Sequence, residues 1–309
     1  MQAVALTHTT GCLAVNPFDL QDEASYRRWR HWKLALQPRH IQDLMVDVRD
    51  PRALTAGERT ELLACIARGG CAIYRSRVLG DDPELPRRLG EQLGLHRLDA
   101  NWLAEEDGVS RITVSRATDG HGGFIPYTDQ AIGWHTDGYY HPQPRRILGM
   151  VLHCVRPART GGENALLDPE LAYIALRDRS PRLVQALSQP DAMTIPARYD
   201  GSGVARPAQP GPVFSLDEHG CLHMRYTART RSIAWKNDDA TLGAVSLLRD
   251  LMKQSPAVWR VRMEAGMGVV GHNVLHDRSA FEDDPQHPRL LLRARFLDRI
   301  RPETSWRNG

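Results

Sequence analysis

The run ILGMVLHCV at residues 147–155 constrains the fold more than any other stretch of the chain. Its apolar residues do not alternate with polar ones, so a strand built from it has to be covered on both faces. His153, in the middle of the run, reads as a satisfied core histidine. Shorter strand patterns lie at 71–74, 111–115, 222–226, 259–263, 268–274 and 290–297. Between them fall helix signals. Thr55-Ala-Gly-Glu58 has capping-box spacing ahead of the stripe Leu62, Leu63, Ile66, and Gly69-Gly70 ends that helix. A second helix is expected over 83–93 and another over 238–252. Asp168-Pro169 and Ser180-Pro181 each pair an N-cap with proline at the first helical position. Many short strands broken by helices, without a βαβ rhythm, imply an α+β fold with a double-stranded β-helix (jelly-roll) core decorated with helices. That domain is expected over 51–309. Residues 1–50 are read as an N-terminal extension packed on it, in which Tyr26 to Lys33 form an amphipathic surface segment. The Gly/Pro-rich stretch at 197–220 reads as a long loop at a rim.

Composition narrows the class. With 309 residues, 41% of them hydrophobic, a sizeable core is available, and a formal charge of +3 without a basic run argues against nucleic acid. Cys12, Cys65, Cys71, Cys154 and Cys221 are odd in number and lack C-x-x-C spacing, so they read as buried thiols of a reducing compartment. No cationic leader and no membrane-length apolar run are seen, and a cytoplasmic protein without a membrane partner is expected, with a homo-oligomer left open.

Within GWHTDGYY, His135 and Asp137 stand two residues apart, which on an extended backbone puts both on one face. The pair alone means little: 13 histidines and 37 acids in 309 residues predict about 1.6 His-x-acid pairs by chance. A strand pattern over 269–275 delivers His276 at its edge. Two histidines and one carboxylate can occupy one face of an octahedral Fe(II) and leave three positions open, enough for a chelating 2-oxo acid and O2. Arg289 can supply a permanently charged partner for the distal carboxylate of such a co-substrate.

The segments GWHTDGYY, LHCVRPARTGGENALLDPELAY, HMRYTARTRS and NVLHDRSAFEDD…PRLLLRARF, spread over roughly residues 55–300, resemble the taurine dioxygenase superfamily of Fe(II)/2-oxoglutarate oxygenases. HTD followed by LHC, TGG and RY…R is closest in pattern to the γ-butyrobetaine and trimethyllysine hydroxylases. The resemblance implies His135, Asp137 and His276 as iron ligands and Arg289, thirteen residues after His276, as the partner of 2-oxoglutarate. It implies a co-substrate contact for Asn164, where the family commonly has Thr, and substrate contacts for Arg293 and Tyr127. Tyr127 matches a tyrosine of a trimethylammonium cage, a role suited to its ring. Gly138 and Thr227-Ala228 depart from that substrate pattern, and the cysteine pattern of the amino-terminal zinc module of those hydroxylases is not seen in this sequence.

The function expected is hydroxylation of an unactivated C–H bond in a small polar molecule, with release of succinate and CO2. An amine, betaine or amino-acid derivative is favoured on Tyr127. The alternatives are a taurine-like sulfonate or other anionic substrate, and a non-catalytic jelly-roll whose metal serves structure or sensing.

Overall fold

A computed structural model of the protein describes residues 16–99, 108–115, 124–200, 203–229 and 233–301. Cys12, His121 and Arg231 lie outside the described residues. In chain order the main strands are β1 (Met45–Asp47), β2 (Cys71–Arg75), β3 (Val109–Ile112), β4 (Ile132–His135), β5 (Gly149–Arg156), β6 (Asn164–Leu167), β7 (Trp259–Val261), β8 (Met267–His272), β9 (Leu275–Arg278) and β10 (Leu290–Phe296). They form a six-stranded sheet in the order β1-β2-β8-β5-β10-β3 and a four-stranded sheet in the order β7-β6-β9-β4. Apart from the parallel pair β1–β2, all pairings are antiparallel. This is the α+β, double-stranded β-helix architecture.

The apolar run becomes β5, hydrogen-bonded to β8 on one side and β10 on the other, with every residue but Arg156 buried. His153 sits in it at 1% exposure, and its Nδ1 bonds the Tyr74 hydroxyl at 2.9 Å. Helices α2 (Ala56–Gly69) and α3 (Glu84–Gln92) cover the large sheet through Leu62, Ile66 and Leu89. Thr55 and Glu58 form the capping box, and Gly70 closes α2 with φ +75°.

A second core joins the smaller sheet, through Leu167 and Leu275, to helices α1 (Glu23–Leu36), α4 (Pro169–Arg179), α5 (Pro181–Leu187) and α6 (Asp239–Gln254). Trp29 of α1 is 1% exposed and meets Tyr173 of α4 edge-on at 6.2 Å. Burial of a side chain of this size stabilises by roughly 2–3 kcal/mol. The Arg/Trp-rich segment thus buries its rings and leaves Arg27 to solvent, as its pattern suggests. Lys33, however, is fully buried, 2.6 Å from Asp168 and 2.7 Å from Glu170. Residues before 51 are joined to the rest by this ion cluster and by β1 in the large sheet.

Two expectations are corrected. The stretch 197–220 is largely short strands: Arg198–Asp200 pairs with Gly203–Arg206, Gln209–Gly211 with Met193–Ile195, and Phe214–Leu216 with Leu222–Met224. Prolines at edges and turns permit this. The expected strand into residue 275 is instead two strands: β8 ends at His272, the chain changes sheet at Asn273 and Val274, and β9 starts at Leu275. His276 therefore lies inside β9. No helix among the described residues is long and apolar enough to cross a membrane.

Candidate active site

The register of β4 against β9 sets His276 directly opposite His135, with ring centroids 4.2 Å apart. Asp137 follows two residues after the end of β4. Thr136 between them is fully buried and pinned to Tyr226, accepting its N–H at Oγ1 (3.1 Å) and donating its own N–H to the Tyr226 carbonyl (3.0 Å). The RYT segment at 225–227 thus closes the free edge of β4 next to His135. Gly138 then turns the chain with φ +67°, and a Cβ there would lie 2.5 Å from Ile147, which accounts for glycine after the HTD motif.

The ligand atoms of His135, Asp137 and His276 lie within 4.8 Å of one another, the one such group of three among the described residues. Both imidazoles donate Nδ1–H to a backbone carbonyl two residues earlier, His135 to Gly133 and His276 to Val274, each at 2.9 Å. Those bonds fix the tautomer that leaves Nε2 as the free lone pair, the arrangement usual for metal-bound histidine. Asp137 Oδ2 is buried without a partner. Burial works against the Asp137 charge, but Arg293, then Arg295, outweigh it and hold the carboxyl well below its usual range. Burial, then His276, pushes His135 down to about 3, so the ring is neutral at ordinary pH. Two imidazole Nε2 atoms and one ionised carboxylate fit a divalent iron.

Asn273, at the change of sheet, is one of the polar residues that could support the triad, and the structure gives it specific partners. Its Oδ1 accepts the Asp137 N–H at 2.8 Å, and its Nδ2 donates to the carbonyls of Asp137 (2.8 Å) and Ile147 (3.0 Å). Only a structure shows these partners, because nothing in the sequence pairs that asparagine with Asp137.

Arg289 opens onto β10 and is 3% exposed. Its guanidinium lies over the Phe281 ring at 5.0 Å, and no carboxylate pairs with it among the described residues. The TGG turn flanks it: Gly161 and Gly162 have φ +72° and +69°, and a Cβ on Gly162 would sit 3.5 Å from Arg289 Nε. Arg278 lies over the same ring at 4.9 Å and donates to the carbonyls of Pro126, Thr128 and Gln130, binding the Tyr127 loop to β9. Burial, then Arg289, pushes Arg278 down to about 9. A buried anion is what this pair lacks. Asn164 begins β6; its Nδ2 donates to the Asp277 carbonyl at 2.9 Å, and its buried Oδ1 has no partner.

Arg293 does not reach into open space but donates to Asp137 Oδ1 at 3.1 Å. Its neighbour on the same strand face, Arg295, bonds Asp99 (2.7 Å) and the Tyr140 hydroxyl (3.1 Å). Tyr127 is 2% exposed, and its hydroxyl is bonded to Ser110 within electrostatic reach of Arg293 and Arg295.

Residues 35–295 match the family described as taurine catabolism dioxygenase TauD, TfdA family. A uridine-5'-phosphate dioxygenase from Amycolatopsis sp is 31% identical over 190 residues, covering 60% of this chain and 66% of that protein. Another from Streptomyces sp is 32% identical over 201 residues, covering 62% and 69%. The chain thus spans about two thirds of the length of these curated relatives. A structure of an asparagine oxygenase with Fe(II), hydroxyasparagine and succinate superposes with TM-score 0.54 over 94% of this chain and 87% of that one, at 18% identity.

Proposed function

The chain belongs to the taurine catabolism dioxygenase TauD, TfdA family, and on that premise we propose that it is an Fe(II)- and 2-oxoglutarate-dependent dioxygenase acting on a small anionic molecule, a nucleoside monophosphate being the first candidate. The names of the two relatives support that candidate. The observation that carries the anionic reading is the charge around the triad. Arg293 and Arg295 both bear on Asp137, and Asp99, Asp137 and Asp217 are each already bonded to an arginine. A trimethylammonium group would find no uncommitted carboxylate among these to meet it, so the charges there do not favour a cation. The preference for an amine or betaine drawn from Tyr127 gives way to the anionic alternative.

His135, Asp137 and His276 would hold the iron, which when bound supplies the oxidising chemistry, consuming O2 and converting 2-oxoglutarate to succinate and CO2. Arg289 would take the distal carboxylate of 2-oxoglutarate in a dry site, where a fork-shaped permanent cation gives both charge and orientation. Asn164 would contact the co-substrate through the amide hydrogen that it does not give to the Asp277 carbonyl. Asp137 Oδ2, which has no partner, would take the metal while Oδ1 keeps its bond to Arg293, so Arg293 would position the carboxylate.

Succinate formation from 2-oxoglutarate with Fe(II) and O2, measured over a panel of nucleoside monophosphates, sulfonates, betaines and amino acids, tests this. An anion should raise the rate above the substrate-free background. Stimulation by a betaine alone would overturn the substrate class, and iron bound at stoichiometry with no turnover of 2-oxoglutarate would point to a non-catalytic metal protein.

A further inference from the structure

A cavity of about 40 Å³ opens beside Asp137, on the side where the strands Phe214–Leu216 and Leu222–Met224 pair. Ser215 and His223 are direct register partners there, and both line the cavity. Arg146, just ahead of β5, reaches in and donates through Nη1 to Ser215 Oγ and the Leu216 carbonyl, both at 3.0 Å. Its Nε and Nη2 have no bond among the described residues. Arg225 is 8% exposed and donates to three backbone carbonyls, those of Tyr139, Met193 and Gln209, with no carboxylate. His223 is 6% exposed, and its Nδ1 is buried without a partner.

Of the carboxylates nearby, Asp137 bonds Arg293 at 3.1 Å and Asp217 bonds Arg299 at 2.8 Å, while Asp217 and Glu218 act on Arg146 from a distance without bonding it. Two guanidinium groups therefore line one small cavity with no carboxylate bonded to either, a state unfavourable above all for the buried Arg225. Consistent with that, burial, then Arg206, pushes Arg225 down to about 10, and burial, then Arg299 and Arg146, pushes His223 down to about 3. One buried water needs on the order of 10–15 Å³, so the cavity takes about three or four water-sized groups. That is the size of a tetrahedral oxyanion head. Spare guanidinium donors, a hydroxyl and an imidazole suit such a head.

We propose that this cavity is an oxyanion subsite, seating the phosphoryl group of the substrate so that the rest of the molecule extends towards His135 and His276. The inference rests on the reading of the triad as an oxygenase centre for an anionic substrate, yet its binding test needs neither iron nor turnover. Thermal unfolding of the full chain is followed with inorganic phosphate, uridine 5'-monophosphate or uridine, against chloride at matched ionic strength. Arg146→Gln and His223→Gln serve as the variants, since Arg225 holds three carbonyls and its loss threatens folding.

Phosphate and the nucleotide should stabilise the wild type and uridine should not. In R146Q the dissociation constant for both should rise by about 10- to 100-fold, the loss expected of one charge-assisted contact. If the nucleotide is turned over, KM should rise by the same factor in R146Q and H223Q with kcat retained, as for a group held equally in ground and transition states. A wild type indifferent to phosphate and nucleotide, or a nucleotide that binds R146Q and H223Q as tightly as the wild type, would overturn the subsite. Free phosphate binding without nucleotide binding would overturn its role in seating substrate. Binding that follows the expected pattern in an enzyme that turns over no anion would remove the proposed function and leave the subsite.

Discussion

Asn273 holds Asp137 at both ends of its residue, accepting the backbone N–H at 2.8 Å and donating to the backbone carbonyl at 2.8 Å. Because Asn273 lies three residues before His276, one side chain ties the carboxylate of the triad to the strand that carries the second imidazole. Groups of this kind commonly govern metal affinity by 10- to 100-fold. Asn273→Ala is expected to weaken Co(II) or Fe(II) binding by about that factor while urea unfolding of the apo chain shows it still folded. An unchanged metal titration in a folded variant would mean that the clamp does not set the site.

Arg289 has no carboxylate partner among the described residues and lies buried against Phe281. Arg289→Ala should weaken 2-oxoglutarate binding by about 10- to 100-fold, the equivalent of roughly 1.5–3 kcal/mol for a charge-assisted contact. Arg289→Lys should recover part of it, keeping charge but losing the fork. Equilibrium dialysis with the metal-loaded chain measures this, and equal affinity in all three proteins would place the anchor elsewhere.

Lys33 sits 2.6 Å from Asp168, which also caps α4 by accepting the Glu170 N–H at 2.9 Å. Desolvation opposes the Lys33 charge, but Asp168 and Glu170 outweigh it and raise the ammonium pKa. Lys33→Ala leaves buried Asp168 uncompensated and is expected to cost about 3–5 kcal/mol in urea unfolding. Lys33→Met with Asp168→Asn should cost clearly less. A double change as harmful as the single one would show that packing, not charge, is at stake.

Two buried histidines, His153 and His223, and the half-buried His272 make the fold acid-sensitive. Burial pushes His153 down to about 4 and, with Arg299 next in effect, His223 and His272 down to about 3. Their folded pKa values lie below the unfolded one, so the unfolded chain gains protons first as pH falls. Stability is complete above about pH 7.5 and is lost as pH drops towards 4, by roughly 1.4 kcal/mol per histidine at pH 5.5. Urea midpoints at pH 7.5, 6.5 and 5.5 should fall in that order; a flat series would contradict neutral burial of these rings.

Much of the fold was legible in local pattern. The unbroken apolar run became β5, the capping box at Thr55–Glu58 opened α2, and Asp168-Pro169 and Ser180-Pro181 opened α4 and α5 where proline costs no hydrogen bond. Features set by distant pairing were not. Asp99 and Arg295, Lys33 and Asp168, and Asn273 and Asp137 meet only through tertiary structure, and a sequence shows no register between them. The resemblance implies a substrate contact for Arg293; the carboxylate that it bonds in the structure is that of Asp137, a pairing no local pattern announces. The strands within 197–220 escaped because three-residue edge strands rich in glycine and proline carry almost no periodic signal.

The most direct measurement is succinate produced per uridine 5'-monophosphate consumed, by wild type and His276→Ala with Fe(II), 2-oxoglutarate and O2. One succinate per nucleotide in the wild type, none above background in the variant, and no stimulation by uridine is the expected result. Wild-type succinate formation indifferent to every anion tried, or unchanged in the His276 variant, would contradict an anion-directed oxygenase built on His135, Asp137 and His276.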